Sequence, residues 1–213
     1  ETLYNFSRIM LAAKRYEKAV DICDSLLKLN NQFYPAYLTR QEAYFNLRRA
    51  QEVINDYHNA VGIFAGFHQP YKYAMEVFII YNQYQDAKNV IDRARENKVE
   101  FTNQMKLFEV KVLRNLAKSD EERSEPLRIA KWLKEHLEDE NCDIEDKSEV
   151  EFELALLFWD NDGFDAALKH IKTAIDQNPK RLQYRYVRGN IYLSKAKKYG
   201  KDMDDYRRAL DEY

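Results

Sequence analysis

The chain has 213 residues, with 34 basic and 36 acidic side chains and a formal charge of −2, a balance that argues against a nucleic-acid-binding role built on clustered positive charge. Five glycines and four prolines are too few for the turns of sandwiches, barrels or doubly wound sheets. No apolar run approaches the ~20 residues that span a bilayer, and no secretory h-region is present, so a mostly helical protein with no membrane role is expected.

The predicted elements are helix pairs in a repeat of 34 residues. Met10, Tyr44, Phe78, Val112, Phe158 and Tyr192 are spaced by 34, 34, 34, 46 and 34. The columns Ala19, Val53, Ala87, Ala167 and Leu26, Ala60, Ala94, Ala174 are both spaced by 34, 34 and 80, and 80 is two periods plus the same 12 extra residues. In the first unit Tyr16, Ala19, Cys23, Leu26 and Leu27 recur at three- and four-residue steps, the buried face of a helix. Small residues in these columns let helix axes approach closely. Breakers fall between helices at Pro35, Pro70, Asp162–Gly163 and Asn178–Pro179, with Gly163 expected to relax the backbone.

The fourth unit is irregular. Its first helix should run from about Thr102 to Ala117, with Lys118 to Arg123 as a polar connector. Ser124 is the expected N-cap before Glu125 and Pro126, and Leu127, Ala130, Leu133 and Leu137 mark the second helix. Residues 138–146 carry six acids and read as a solvated surface loop. In the fifth unit Leu154, Ala155 and Phe158 mark the first helix, and Phe164, Ala167, Ile171, Ala174 and Ile175 the second. One domain over 1–213 follows, with units at 1–33, 34–67, 68–101, 102–147 (with the insertion), 148–181 and 182–213. Such pairs cannot bury their apolar surface alone and must stack.

Signatures of chemistry are missing. Asp160-Asn161-Asp162-Gly163 has Phe158 and Lys169 where a calcium loop needs acids. His58, His68, His136 and His170 form no pair at zinc-ligand spacing. No phosphate-cradling glycine loop and no serine elbow occur, and nothing places paired carboxylates in a dry pocket. No catalysis, no metal and no cofactor are expected. Asn5-Phe6-Ser7 is a formal glycosylation triplet within a predicted helix. Cys23 falls in an apolar helical face and Cys142 in the acidic stretch, so no disulfide and an intracellular, cytoplasmic setting are expected. A start at Glu1 and an end within a helical pattern suggest part of a longer polypeptide.

Gly163-Phe164-Asp165-Ala166-Ala167-Leu168 through Ala174-Ile175-Asp176-Gln177-Asn178-Pro179 resembles the second helix and exit turn of a tetratricopeptide repeat. Arg188-Gly189-Asn190-Ile191-Tyr192 resembles that family's first-helix signature, and Lys14-Arg15-Tyr16-Glu17-Lys18-Ala19 its intervening turn. The resemblance covers the whole chain with degenerate repeats. The family's glycine column holds Ser7, Gln41, Met75, Glu109 and Ala155, with glycine only at Gly189. It implies an all-α, right-handed α-solenoid of about six helix-turn-helix repeats, with first helices lining a concave face.

By register, one row of that face is Tyr4, Leu38, Lys72, Lys106, Phe152 and Tyr186, and a second is Arg8, Glu42, Glu76, Val110, Leu156 and Asn190. The third row, Leu11, Phe45, Ile79, Leu113, Trp159 and Leu193, is apolar throughout. It is either core, packed against the next first helix, or a groove for a partner segment with Lys72, Lys106 and Arg114 as a positive middle. The partner-binding candidates are Tyr4, Arg8, Leu38, Phe45, Lys72, Ile79, Lys106, Arg114, Phe152, Trp159, Tyr186 and Asn190. The carboxylate clamp of chaperone-binding relatives is not matched: the first unit offers Tyr4 and Arg8, the second Thr39, the third Gln69 and Tyr73. The expected function is a protein-interaction module that holds a peptide segment of another protein. The alternatives are a regulatory or substrate-docking region of a larger enzyme or co-chaperone and, ranked lower, an RNA-binding repeat. Neither nucleic acid nor membrane is an expected partner. Tyr184, Tyr186, Leu193 and Leu210 suggest self-association through the terminal repeats.

Overall fold

The computed structural model describes residues 2–139, 142–144, 146–199 and 203–211, and among them there is no strand. Packing groups the chain into two compact units, Glu1–Phe108 and Glu109–Tyr213. The first holds the hairpins α1 (Thr2–Ala12) with α2 (Tyr16–Leu29), α3 (Tyr34–Asn46) with α4 (Ala50–Ile63), and α5 (His68–Ile80) with α6 (Tyr84–Glu96). α7 (Asn103–Leu116) starts in the first unit and ends in the second. The second unit continues with α8 (Asp120–Glu135), the hairpin α9 (Ser148–Asp160) with α10 (Phe164–Gln177), and α11 (Leu182–Tyr199) with α12 (Met203–Leu210).

Four of the turns within hairpins are copies of one another. The first helix ends in a Schellman motif, in which Arg15, Arg49, Gln83 and Gly163 donate N–H groups to carbonyls five residues back, at 2.8–2.9 Å. The residue before each donor, Lys14, Arg48, Asn82 or Asp162, sits at φ 56–59°. The left-handed residue is therefore Asp162, not Gly163, whose φ is −82°. A Cβ on Gly163 would meet the Phe158 carbonyl oxygen at 3.2 Å. The tight turn is set by the hydrogen-bond pattern, and side chains other than glycine occupy the left-handed position at a backbone cost.

In the first unit, alanines occupy the closest helix approaches: Ala19, Ala36, Ala43, Ala60, Ala74, Ala87 and Ala94 are wholly buried. The family's glycine column is also buried, and its larger side chains are put to use. Ser7 donates to the Tyr4 carbonyl, while Gln41 reaches from α3 to the carbonyls of Val53 in α4 and Pro70 in α5. Tyr37 and Tyr71, one period apart, each donate to the carbonyl six residues earlier and so pin the preceding turn. Arg40 spans three helices, with Asp24 of α2 at 2.5 Å and Asp56 of α4 at 2.6 Å. Cys23 and Cys142 are free thiols, and burial pushes Cys23 up to about 11, far from thiolate chemistry.

In the second unit, α8 begins earlier than the sequence predicts. Ser119, not Ser124, is the N-cap: it accepts from the Glu122 amide, and the Glu122 carboxylate accepts from the Lys118 amide. Three acids in the first turn favour that start through the helix dipole, so the connector shortens, and Ser124 and Pro126 lie inside the helix. The acidic stretch is anchored at its end rather than simply solvated. Ile144 is buried, and Asp146 accepts from Ser148, Asn178 and Arg181. Residues 140, 141 and 145 of that stretch lie outside the described residues.

Nearly every side of α9 is buried, including the acids Glu151 and Glu153, and Glu149 is half-buried. Glu149 pairs with Lys111 of α7 and with Arg181 before α11; Glu151 with Lys134 of α8 and His170 of α10; Glu153 with Arg114 of α7. Ion pairs thus tie α9 to α7, α8 and α10. Burial pushes the Glu149 and Glu151 carboxyls up, but Lys111 with Arg181, and His170 with Lys134, outweigh it and hold both below the usual range.

Candidate partner-binding surface

In the first unit the first helices α1, α3 and α5 stand side by side and bring the predicted rows together. Phe45 lies with its ring 5.2 Å from that of Tyr73, and Leu11 packs on the same cluster, so the apolar row is wedged between neighbouring first helices while remaining part exposed. Tyr4 leans edge-on against Phe33 at 5.4 Å, and Leu38 packs on the cluster of Cys23 and Ala36. Lys72, Ile79 and Lys106 are half-buried and Arg8 is exposed. Glu42 and Glu76 stand in the row beside them, so this surface is mixed in charge rather than positive.

In the second unit the candidates divide. Phe152 is core, stacked on Tyr184 at 4.8 Å, and Tyr184, expected at the surface, is wholly buried and bonded to Ser148. Arg114 donates to Glu153 at 2.8 Å and lies 3.8 Å from Asp160, so its charge is spent inside the unit. Burial raises the Asp160 carboxyl above its ordinary value even with Arg114 near. Trp159 packs on the α9–α10 core, Asn190 is half-buried and Tyr186 is 57% exposed.

Sequence reasoning missed one feature of the first unit. A cleft of about 490 Å³ opens where the α3–α4 turn meets the end of α5, lined by Phe45, Arg49, Val53, Val77, Ile80 and Tyr81 among others. Ile80 and Tyr81 are 60% and 56% exposed. The available signal was Ala50, the first residue of α4, where α2, α6 and α10 begin with an aromatic ring.

Among the described residues no group of His, Cys, Asp and Glu could hold a metal ion, and no helix is long and apolar enough to cross a membrane.

This arrangement defines the class: an all-α helical-repeat protein of the solenoid type. The tetratricopeptide repeat family model matches residues 152–213, and over the rest of the chain the fold is similar to that of solved tetratricopeptide repeat proteins. The structure is similar to YrrB, described as a TPR protein with an unusual peptide-binding site, with a TM-score of 0.65 and 18% identity over 89% of this chain and 91% of that one. It is similar to the Cut9–Hcn1 hetero-tetramer of the APC/C, with a TM-score of 0.72 and 14% identity over 98% of this chain and 42% of that one. TTC0263, a thermophilic TPR protein of Thermus thermophilus, has a TM-score of 0.57 and 20% identity over 90% of this chain and 98% of that one. No curated protein sequence matches the chain. At these identities the likeness is one of fold.

Proposed function

We propose that this protein, whose fold is that of protein-interaction scaffolds, holds a peptide segment of a partner on its first-helix face. The observation that carries this is the alignment across α1, α3 and α5 of an apolar row (Leu11, Phe45, Ile79) beside polar rows (Arg8, Glu42, Glu76 and Tyr4, Leu38, Lys72). A peptide laid across three helices buries apolar side chains at ~1.5–3 kcal/mol each before ordering costs, enough for micromolar affinity. The peptide-binding site named for YrrB supports the same use of the fold. Trp159, Tyr186 and Asn190 are the second unit's candidates. A docking role within a larger enzyme or co-chaperone would use the same surface. Random peptides displayed on phage and selected on the wild-type chain should lose affinity by about tenfold on an Arg8→Glu/Lys72→Glu variant of unchanged helicity. Failure to enrich any peptide, or equal binding to the variant, would remove this reading.

Self-association is the second reading, and α1 supports it. Leu3, Phe6 and Ile9 are 40%, 48% and 58% exposed along one face. One and two periods on, Tyr37 and Ala43 in α3, and Tyr71, Ala74 and Val77 in α5, are buried where the preceding hairpin covers them. At the other end Leu210 is 73% exposed. Three side chains make a small patch, so a weak, concentration-dependent dimer is expected in sedimentation velocity, with Phe6→Glu raising its dissociation constant about tenfold. A monomer at every concentration would exclude it.

A further inference from the structure

Four second helices start at the same point of their hairpins, after the same left-handed residue and an N-cap of near-identical dihedrals: α2 at Tyr16, α4 at Ala50, α6 at Tyr84 and α10 at Phe164. Three present an aromatic ring there and one a methyl group. At Tyr16 and Phe164 the ring packs against the next first helix. Tyr16 packs on the cluster of Ala19, Ala43 and Tyr44, alongside Leu47. Phe164 is buried and meets Tyr199 edge-on at 5.8 Å. At Ala50 the ring's place is the cleft of about 490 Å³, walled by Phe45, Val53 and Val77.

The rim differs from the other repeats as well. Ile80 and Tyr81, both exposed, stand where the preceding repeats have Ala12 with Ala13 and Asn46 with Leu47. The second repeat thus lacks a ring at the junction, while at its mouth the third has isoleucine in place of Asn46 and a tyrosine ring in place of Leu47. A junction that had merely drifted towards poorer packing would expose apolar walls at a cost and gain nothing from a larger apolar rim. Two arginines complete the edge. Arg49 is turned inward, 2.8 Å from Glu52 and over the Tyr44 ring at 4.7 Å. Arg48 is exposed and has no ion pair among the described residues.

We infer that this cleft is a subsite for one aromatic side chain of a partner polypeptide, carried next to an acidic residue that faces Arg48. The inference rests on the reading of the chain as a partner-binding scaffold and adds the chemistry of one anchor residue. The occupant is set by the repeat itself: the side chain that packs into the corresponding junction at the start of α2 and of α10 is tyrosine or phenylalanine. The cleft lies within the first unit and shares Phe45 with the apolar row of the first-helix face.

The test uses the whole chain, labelled with nitrogen-15, and two capped tripeptides, Glu-Phe-Glu and Glu-Ala-Glu. The phenyl peptide should shift the amides of 45–53 and 77–81 and bind about tenfold more tightly than the alanine peptide. Ala50→Tyr, which restores the residue of α2 and α6, should lower phenyl-peptide affinity about tenfold with an unchanged or raised melting temperature. Arg48→Glu should weaken Glu-Phe-Glu and favour Lys-Phe-Lys. If Ala50→Tyr does not fold, Ile80→Ser at the exposed rim replaces it, with the same direction of effect. Equal binding of the two peptides, shifts confined to other surfaces, or unchanged affinity in the filled variant would each overturn the inference. A tripeptide is too short to need the polar rows, so its result is independent of the Arg8→Glu/Lys72→Glu experiment: either can fail while the other stands.

Discussion

Replacing Arg40 with alanine is expected to destabilise the first unit by roughly 3–5 kcal/mol, although Arg40 is not itself a candidate binding residue. Its guanidinium lies between Asp24 and Asp56, donating through Nε and one terminal nitrogen to Asp56 and through the other to Asp24. The Asp56 side chain is 2% exposed, so its charge has no access to water once Arg40 is gone. Burial already raises the Asp56 carboxyl above its ordinary value despite Arg40. Much of the loss is therefore the cost of a stranded carboxylate. Urea denaturation followed by circular dichroism measures it, and an Arg40→Ala/Asp56→Ala chain should recover a large part. A single-variant loss under about 1 kcal/mol would show that water reaches Asp56 and that the pair contributes little.

Glu151→Ala is expected to cost the second unit about 2–4 kcal/mol, somewhat less because Lys134 is 41% exposed while Glu151 itself is 4% exposed. Acid should have the same effect on the unmodified chain. Asp146, Glu149 and Glu151 are all held below their ordinary values; at Asp146 burial works upward, and Ser148, Asn178 and Arg181 outweigh it. A carboxyl with a lowered folded value stabilises the fold above its unfolded value, and that contribution is lost as pH falls through the folded one. Asp160 of this unit and Asp56 of the first have raised values, so acid favours the folded state at those two sites. The second unit therefore loses stability on acidification through and below the usual carboxylate range. Both tryptophans, Trp132 and Trp159, lie in that unit, so their fluorescence should report a transition at higher pH than circular dichroism of the whole chain. Coincident transitions would contradict it.

Much of the fold was legible because repetition multiplies weak signals. A single alanine says little, but Ala19, Val53, Ala87 and Ala167 in one register mark where helix axes come closest, and each of these is wholly buried. The same logic located the hairpins around Gly163 and Asn178. It failed where a local rule competed with another of equal strength. Ser119 and Ser124 both precede acids, and the choice of cap lay with Glu122, whose carboxylate and amide close a box around Ser119. Gly163 looked like the residue of the left-handed turn, yet the hydrogen bonds put that conformation one position earlier, on Asp162.

The candidate surface was less legible than the fold. Register names which residues share a row but not which neighbours they meet. Arg114 and Phe152 occupy face positions by count, and Glu153 and Tyr184 take them out of play. Ala50 was in view all along as a break in an aromatic column, but only the walls of Phe45, Val53 and Val77 show that the missing ring leaves a cleft.

By itself the sequence determined the helical class, the hairpin period and the buried columns, because burial of one helix face requires apolar residues at helical spacing wherever the chain repeats. Only the tertiary structure decided how the charges are paired, which face residues are occupied and where a side chain is missing, because those depend on contacts between helices far apart in the chain, and spacing along one helix carries no information about them.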